Sequence, residues 1–351
     1  MLAGTGSDVG KSVLAAALCR ILRQDGYRPA PFKAQNMSLN SYATPEGFEI
    51  GRAQAVQAEA AGIPCHTDMN PVLLKPNSDH TSQVVLNGRP VGNSSAYDYF
   101  RRGGREELRA AVCAAFDRLA VCYNPIVMEG AGSIAEINLR DRDIVNMSMA
   151  RHAGADVFLV ADIDRGGVFA SVYGSITLLS EEERKLIKGI IINKFRGDIS
   201  LFDEGRKIIH DLTGIPVVGV IPYFKDIYIE EEDSVSLETK NTKAGSGKIN
   251  VAIVLLKRLS NFTDFSVLER DERFHAYYTN NVEEIGKADI IILPGTKNTI
   301  SDLRNIRANG IAEAVIRAHK EGKKVIGICG GYQMMGARIE DPDQIEGDMT
   351  A

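Results

Sequence analysis

The chain has 351 residues, of which 44% are hydrophobic and 25% are charged, and its formal net charge is -5. This length and composition indicate two soluble α/β domains. No apolar run reaches the roughly 18 residues of a membrane-spanning helix and no signal-peptide pattern opens the chain, so we expect a cytoplasmic protein without a membrane partner. The negative charge argues against nucleic acid as a partner, because nucleic-acid-binding domains are usually basic.

A glycine-rich loop opens the chain. It reads Gly4-Thr-Gly-Ser-Asp-Val-Gly10-Lys11-Ser12, and an apolar stripe at helical spacing follows it as far as Gly26. In such a loop the backbone N–H groups face phosphate oxygens, the lysine reaches the terminal phosphates, and the serine hydroxyl ligates Mg²⁺. The pattern predicts a P-loop, and hence an ATP-using enzyme, although five residues separate Gly4 from Gly10 where the usual loop has four. Only three residues precede Gly4, so we expect the strand that carries the loop to be clipped.

Short runs rich in valine and isoleucine alternate with amphipathic stretches along the rest of the chain. This order predicts parallel strands with crossover helices, and therefore a doubly wound α/β fold. The predicted strands are residues 125–128, 156–161, 189–192, 217–221, 250–255, 289–293 and 324–328. The polar segment 230–248 opens with four acidic residues and cannot form a core, which predicts an interdomain linker between domains at 1–229 and 249–351.

Glu129 ends the first of these strands and is followed by Gly-Ala-Gly. A carboxylate at the carboxyl end of a buried strand lies where open α/β sheets bind ligands. We therefore predict that Glu129 is a Mg²⁺ ligand opposite Ser12. A helix cap or an ion-pair partner is the structural alternative.

Polar groups also follow the later strands. The run 138–146 alternates charges, which is typical of a solvated face, and within it Asp143 is interpreted as a helix N-cap. Residues 162–167 place two acids and an arginine beside two glycines at a strand end, which suits an anionic substrate and a metal. Asn193 and Pro222 follow two further strands at the same edge, where an asparagine amide suits a purine base and, equally, a turn.

Cysteine usage singles out one residue. The five cysteines form no CxxC pair, which indicates reduced thiols, and most are interpreted as small core residues. Cys329 instead lies between a predicted strand and two glycines, with a helix expected from Tyr332. This pattern predicts a strained elbow that exposes the thiol, with backbone N–H groups of Gly295 and Gly330 as oxyanion donors. A buried structural cysteine is the alternative.

With these motifs together, the chain resembles the cobyric acid synthase family, the glutamine-dependent amidotransferases of cobalamin biosynthesis. The likeness spans almost the whole chain. Besides the P-loop and the cysteine elbow it includes segments 32–42, 51–57, 68–76, 138–146, 162–171, 193–198, 260–265 and 293–299. The resemblance implies a dethiobiotin synthetase type of P-loop domain followed by a truncated flavodoxin-like class I glutaminase domain.

The resemblance also implies an activity and its residues. ATP with Mg²⁺ would convert the b, d, e and g carboxylates of adenosylcobyrinic acid a,c-diamide into acyl phosphates, which ammonia released from glutamine at Cys329 displaces. The residues implied for phosphate binding are Gly6, Ser7, Gly10, Lys11, Ser12 and Lys33. Ser12 and Glu129 would hold Mg²⁺, and Asn193 with Pro222 the adenine. Asp141 would be an acid that faces the substrate or the metal. The residues implied to be catalytic are Lys11, Asp141 and Cys329.

The chain departs from the family in one respect, and two rivals stay open. None of the six histidines follows Cys329, where triad glutaminases place one. We therefore expect a fragment clipped at both ends that lacks competent glutamine hydrolysis and uses free ammonia. An a,c-diamide synthase-like amidotransferase is disfavoured because Lys33 is followed by Ala-Gln-Asn-Met-Ser rather than a Gly-Pro-Asp-Tyr type of segment. A non-catalytic nucleotide-binding regulator is the other alternative, whereas Gly6 argues against a partitioning-type ATPase.

Overall fold

The computed structural model describes residues 1–76, 81–95, 104–224, 240–342 and 346. The chain forms two compact units. The first consists of Met1–Met37, Tyr42–Leu74 and Val84–Glu230, and the second of Ser38–Ser41, Lys75–Gln83 and Glu231–Ala351. Within the described ranges, no helix combines the length and the apolar character that crossing a membrane requires.

Parallel strands form the centre of the first unit. The strands described before residue 225 are β1 (Leu2–Gly4), β2 (Ala30–Phe32), β3 (Gln35–Met37), β4 (Ser41–Ala43), β5 (Glu49–Gly51), β6 (Val72–Pro76), β7 (Thr81–Leu86), β8 (Arg89–Ser95), β9 (Ile126–Met128), β10 (Val157–Asp162), β11 (Ile187–Phe195) and β12 (Val217–Pro222). A parallel sheet has the order β1-β10-β11-β12, and β2 pairs in parallel with β9. A parallel bridge between Leu2 and Glu129 places β9 beside β1. Smaller sheets have the orders β3-β6-β7-β8 and β4-β5.

The sheet is apolar on both faces, as a doubly wound fold requires. Alternate residues of β10 contribute to two different apolar clusters: Val157, Leu159 and Ala161 to one, and Phe158 with Val160 to the other. Because successive side chains of a strand point to opposite faces, helices cover both sides of this strand. The predicted fold class is therefore confirmed.

Helices of the first unit follow the strands. They are α1 (Lys11–Gln24), α2 (Arg52–Ala61), α3 (Gly104–Cys122), α4 (Met147–Ala153), α5 (Val168–Thr177), α6 (Glu181–Leu186) and α7 (Asp203–Thr213), with 3-10 turns at Thr67–Met69, Ile137–Arg142 and Ile199–Phe202. α1 begins at the glycine-rich loop and ends before Gly26, as the apolar stripe predicts. Leu14 and Cys19 lie on its buried face.

The strand that carries the loop is short, as expected, but it is present and paired. β1 is only three residues long, yet its register is complete, with Leu2 opposite Phe158, Ala3 opposite Leu159 and Gly4 opposite Val160. On the other side, the backbone N–H of Gly130 donates to the carbonyl oxygen of Leu2 at 2.8 Å. Neighbouring strands thus satisfy the hydrogen-bonding groups of this short strand on both sides. A longer strand is therefore not needed to hold the loop.

The second unit has its own parallel sheet and core. Its strands are β13 (Ile249–Val254), β14 (Phe274–Thr279), β15 (Ile290–Leu293) and β16 (Lys324–Gly327), in the order β14-β13-β15-β16. Its helices are α8 (Ser266–Arg270), α9 (Val282–Gly286), α10 (Thr299–Ala308), α11 (Ile311–Lys320) and α12 (Gly330–Met334), with a 3-10 turn at Phe262–Phe265. Ile253, Tyr277 and Ile291 lie fully buried in the core between them.

Each predicted strand is present, but β14 and the strands β2 to β8 were not predicted. The aromatic run Phe-His-Ala-Tyr-Tyr of β14 was an available signal. Residues 230–239 of the segment predicted as a linker lie outside the described residues. Within 240–248, the Lys240 ammonium lies 2.8 Å from the Glu269 carboxylate and the backbone N–H of Ala244 donates to Glu284. The domain boundaries stay predictions.

Candidate functional site

The glycine-rich loop holds its lysine close to the backbone. Gly10 adopts a left-handed conformation with φ of 95° and immediately precedes α1. The Lys11 ammonium donates hydrogen bonds to the carbonyl oxygens of Gly6, at 2.9 Å, and Gly132, at 3.0 Å. Although Lys11 is charged, only 6% of it is exposed. The loop therefore presents a buried cation at the start of a helix, where an anion is favoured.

Glu129 is the centre of a buried polar cluster. The Ser12 hydroxyl donates to Oε1 of Glu129 at 2.7 Å, and the Lys33 ammonium lies 3.0 Å from the same oxygen. The Gln57 amide donates to Oε2 at 2.6 Å. The side chains come from the loop, the end of β2, α2 and the end of β9, so the fold brings together three predicted residues and one, Gln57, that was not predicted.

The environment of Glu129 decides its charge. Burial by itself raises the pKa of this carboxyl, but the Lys33 ammonium and the hydrogen bonds from Gln57 and Ser12 outweigh burial and hold the pKa below the ordinary value. Glu129 is therefore a carboxylate at neutral pH. The alternative of an ion-pair partner is confirmed by the contact with Lys33.

The oxygen donors of Ser12 and Glu129 suit Mg²⁺. This ion prefers oxygen ligands and is usually bound by one or two protein groups together with substrate phosphates and water. Over the described ranges, no group of three or more histidine, cysteine, aspartate or glutamate side chains is arranged to bind a metal ion. A hydroxyl beside one carboxylate fits a metal that enters with phosphates better than a metal held by protein alone.

The ends of β10 and β11 support the loop. The Asn193 amide donates to the carbonyl oxygen of Val9 at 2.8 Å, and a Cβ added to Gly10 would lie 2.2 Å from that amide nitrogen. The Lys194 ammonium donates to the carbonyl oxygen of Asp8 at 2.6 Å and to Asp162 at 2.8 Å. Position 10 therefore needs glycine. The roles predicted for Asn193 and for the exposed Pro222 in binding adenine stay predictions.

The acidic run 138–146 contains an exposed aspartate and an aspartate that bonds to the start of a helix. Asp141 is exposed on the 3-10 turn Ile137–Arg142, and its catalytic role stays a prediction. The Asp143 carboxylate accepts hydrogen bonds from the backbone N–H groups of Val145, Asn146 and Ser148, just before and within the first turn of α4. The N-cap residue is Asn146, so the interpretation of Asp143 as the N-cap is wrong in position, although its carboxylate satisfies N–H groups at the helix start as a cap does.

The acids of the second run are paired with bases. The Asp162 carboxylate contacts Lys194, and Asp164 forms an ion pair with Arg196. Arg196 in turn lies over the Tyr223 ring, 3.5 Å from its centroid. Both acids of the run 162–167 therefore form ion pairs with basic residues that lie at the end of β11 or follow it.

Cys329 lies at a strained elbow, as predicted. Its φ of 51° and ψ of -115° are unfavourable for a residue with a side chain, and it is exposed, so the alternative of a buried structural cysteine is wrong. The helix α12 starts at Gly330, two residues before the expected Tyr332. A Cβ added to Gly331 would lie 1.9 Å from the carbonyl oxygen of Leu293, so this turn passes directly over β15.

The turn after β15 lies beside Cys329. A Cβ added to Gly295 would be 3.6 Å from the Cβ of Cys329, and one added to Gly330 would be 3.0 Å from the Thr296 side chain. Gly295 is held by a 3.0 Å hydrogen bond from the Ser260 backbone N–H to its carbonyl oxygen. The two glycines predicted to bind an oxyanion therefore flank the thiol, and their role stays a prediction.

Gln57 is the site residue that sequence reasoning did not assign. It lies within segment 51–57, which supports the resemblance, but no role was given to it. Its available signal was a pair of glutamines, Gln54 and Gln57, three residues apart in an otherwise alanine-rich helix. Residues three apart share one helix face, and a buried polar face needs partners.

Two family models match the chain. The model described as the CobQ/CobB/MinD/ParA nucleotide binding domain matches residues 1–237, and the CobB/CobQ-like glutamine amidotransferase domain matches residues 250–351. Curated relatives named cobyric acid synthase include those of Bacteroides fragilis, 74% identical over 99% of this chain and 70% of the relative, and Parabacteroides distasonis, 71% identical over 100% and 71%. The relative from Salmonella arizonae is 54% identical over 97% of this chain and 67% of the length of the relative. The chain thus belongs to the cobyric acid synthase family of glutamine amidotransferases.

Proposed function

We propose that the chain uses ATP to amidate the b, d, e and g carboxylates of adenosylcobyrinic acid a,c-diamide, giving adenosylcobyric acid. The observation that carries this proposal is the 2.7 Å hydrogen bond between Ser12 and Glu129. It joins the hydroxyl of a P-loop to a carboxylate at a strand end, which is the donor set that Mg²⁺ bound to ATP phosphates requires.

The residues around this hydrogen bond would contact different parts of ATP. Backbone N–H groups of Gly6, Ser7 and Gly10 face the phosphates, and the ammonium groups of Lys11 and Lys33 offset their negative charge. Ser12 and Glu129 would hold Mg²⁺, which, when bound, neutralises charge on the phosphates. Asn193 and Pro222 would contact the adenine, and Asp141 the corrinoid.

A carboxylate must be activated before ammonia can replace its oxygen. A carboxylate oxygen of the corrinoid attacks the γ-phosphorus of ATP, a new O–P bond forms, and the bond to the bridging oxygen breaks, so that ADP leaves. The nitrogen of ammonia then attacks the acyl carbon, and inorganic phosphate leaves with the former carboxylate oxygen. The Lys11 and Lys33 ammonium groups stabilise the charge that moves onto phosphate oxygens during the first step.

In the proposed reaction, Cys329 of the second unit releases the ammonia from glutamine. Ammonium supplied directly replaces this step where, as in this sequence, no histidine follows Cys329. The Cys329 thiolate attacks the carboxamide carbon, and the C–N bond breaks as ammonia takes a proton and leaves. Water then hydrolyses the thioester, releasing glutamate and the thiol. The N–H groups of Gly295 and Gly330 would donate to the oxyanion, and the exposed elbow of Cys329 supports an attack on a bound ligand.

ADP release tests the proposal. With ATP, Mg²⁺ and ammonium chloride, we expect the a,c-diamide corrinoid to stimulate ADP release and the Lys11→Met variant to lose it by at least about 100-fold, as when one charge-stabilising donor is removed. Stimulation by cobyrinic acid in preference to its a,c-diamide would favour an a,c-diamide synthase. No corrinoid stimulation at all would refute the synthase proposal.

The role of Cys329 needs a separate test. An electrophilic glutamine analogue should add one equivalent to the wild-type chain by intact mass and none to Cys329→Ala. The variant should keep ammonium-dependent ADP release within about twofold, because the thiol takes no part in carboxylate activation. Equal labelling of both proteins would contradict the assignment of Cys329 as the nucleophile.

A further inference from the structure

The Gln57 side chain has a fixed orientation next to Glu129. Its amide nitrogen donates to Oε2 of Glu129 at 2.6 Å and to the carbonyl oxygen of Ser12 at 3.3 Å. Both partners are acceptors, so the NH₂ group must face them and the amide oxygen must point the other way. The usual ambiguity between the two ends of a glutamine amide is therefore removed by its neighbours.

The amide oxygen of Gln57 is buried and accepts no hydrogen bond from the residues that the structure describes. Only 1% of Gln57 is exposed. A buried acceptor without a donor is unfavourable, and native structures retain such groups mainly where a ligand or water completes them. The missing partner must be a hydrogen-bond donor that the described residues do not supply.

We propose that Gln57 is a positioning residue for the metal of the nucleotide site. Its amide nitrogen holds Glu129 in place, and its amide oxygen accepts a hydrogen bond from a water molecule bound to Mg²⁺. This inference rests on the proposed ATP-dependent function. It identifies the missing donor because Mg²⁺ gives up its water reluctantly and keeps several water ligands in nucleotide sites.

The chemistry also explains why this position carries an amide. Groups that hydrogen-bond to metal ligands and metal-bound water orient them, and their loss weakens metal binding by about 10- to 100-fold. A glutamine provides one donor for Glu129 and one acceptor for water without adding negative charge. A second carboxylate at position 57 would repel Glu129. It would also repel the phosphates of ATP and the corrinoid carboxylate that attacks them.

Nucleotide titrations separate this role from simple packing. We would measure the Kd of ATP by calorimetry with EDTA and with Mg²⁺, and take their ratio as the metal-dependent gain in affinity. Gln57→Met keeps the length of the side chain and removes both hydrogen-bonding groups. We expect its Kd with EDTA to stay within about twofold of wild type and its metal-dependent gain to fall at least about tenfold.

Gln54→Met is the matched control. Gln54 lies one turn earlier on α2, is fully buried, and bonds through its amide oxygen to Asn36 at 3.2 Å. Its substitution removes a buried amide of the same type without removing a hydrogen bond to Glu129, so we expect the metal-dependent gain to be unchanged.

A second variant covers the case in which Gln57→Met does not fold. Gln57→Glu keeps an oxygen acceptor but sets a carboxylate against Glu129, so the metal should relieve repulsion. We expect Mg²⁺, at fixed ATP, to raise the Tm of this variant by several degrees more than that of wild type.

The outcomes are distinct. The role of Gln57 would be overturned if the metal-dependent gain of Gln57→Met were unchanged, as it is when ATP affinity falls equally with EDTA and with Mg²⁺. An equal Tm response to Mg²⁺ in Gln57→Glu and wild type would also overturn it. A wild-type chain that binds no ATP would refute the proposed function itself, and this inference with it.

Discussion

The Lys33 ammonium lies 3.0 Å from Oε1 of Glu129, and both side chains are buried. The two residues are 96 positions apart in the chain. They meet because each is the residue that follows its strand, and the strands β2 and β9 are paired so that Phe32 lies opposite Met128. Register, rather than proximity in sequence, therefore creates a buried ion pair at the carboxyl edge of the sheet.

Lys33→Met should destabilise the first unit substantially. The substitution leaves the Glu129 carboxylate buried without its cation, and removing one partner of a buried pair costs about 3–5 kcal/mol. The double variant with Glu129→Gln should recover part of this loss, because neither charge of the pair is left. Urea denaturation of Lys33→Met, Glu129→Gln and the double variant measures the effect, and a loss below about 1 kcal/mol for Lys33→Met would contradict a desolvated pair.

Stability should also depend on pH through Glu129. Its native pKa lies below the ordinary value of 4.5, so the unfolded chain takes up this proton first as the pH falls. The stabilisation is complete above the ordinary pKa and is lost progressively as the pH drops through the native pKa. The difference in urea midpoint between wild type and Glu129→Gln should shrink below pH 4.5. A difference that stays constant down to acid unfolding would argue against the lowered pKa.

Asn193→Ala should weaken the binding of phosphates as well as that of ATP. The Asn193 amide nitrogen supports the loop through the Val9 carbonyl oxygen at 2.8 Å. We expect the Kd of inorganic tripolyphosphate to rise about tenfold, since one buried hydrogen bond contributes about 1 kcal/mol and the loop loses its orientation. The Kd of ATP should rise at least as much, because the proposed contact with the adenine is lost as well. A loss confined to ATP would contradict the support of the loop by Asn193 and leave only the adenine contact. Asn309→Ala, an exposed asparagine in the second unit, is the control.

Gly331→Ala should destabilise the cysteine elbow. A Cβ at this position would lie 1.9 Å from the Leu293 carbonyl oxygen and 2.7 Å from that of Pro294, and backbone atoms cannot move aside as a flexible side chain can. We expect a loss of about 3 kcal/mol in the free energy of unfolding. Gly286→Ala, where the Cβ meets nothing within 4 Å, should cost nothing measurable. Equal thermal unfolding midpoints for the two variants would contradict the close approach at Gly331.

Local patterns were sufficient for part of the site. The glycine-rich loop, the helix α1 and the elbow at Cys329 were all predicted from residues within a few positions of one another. The reason is physical: left-handed turns, helix starts and strand ends depend on backbone geometry that nearby glycines permit and apolar periodicity reveals. The parallel strands from β9 onward, except β14, were predicted for the same reason, since their valine and isoleucine runs are continuous.

The partners within the site depended on tertiary structure. β1 is held at three residues by its neighbours on both sides, and nothing in its own composition signals that support. Gln57 meets Glu129, and Asn193 meets Val9, across 72 and 184 positions of sequence. A glutamine or a short strand carries no local mark of the group it will meet. The amino-acid sequence by itself thus determined which chemical groups are present and where the backbone turns, whereas the packing of the sheet decided which of them are buried together, because hydrogen bonds of buried groups are satisfied across the fold rather than along the chain.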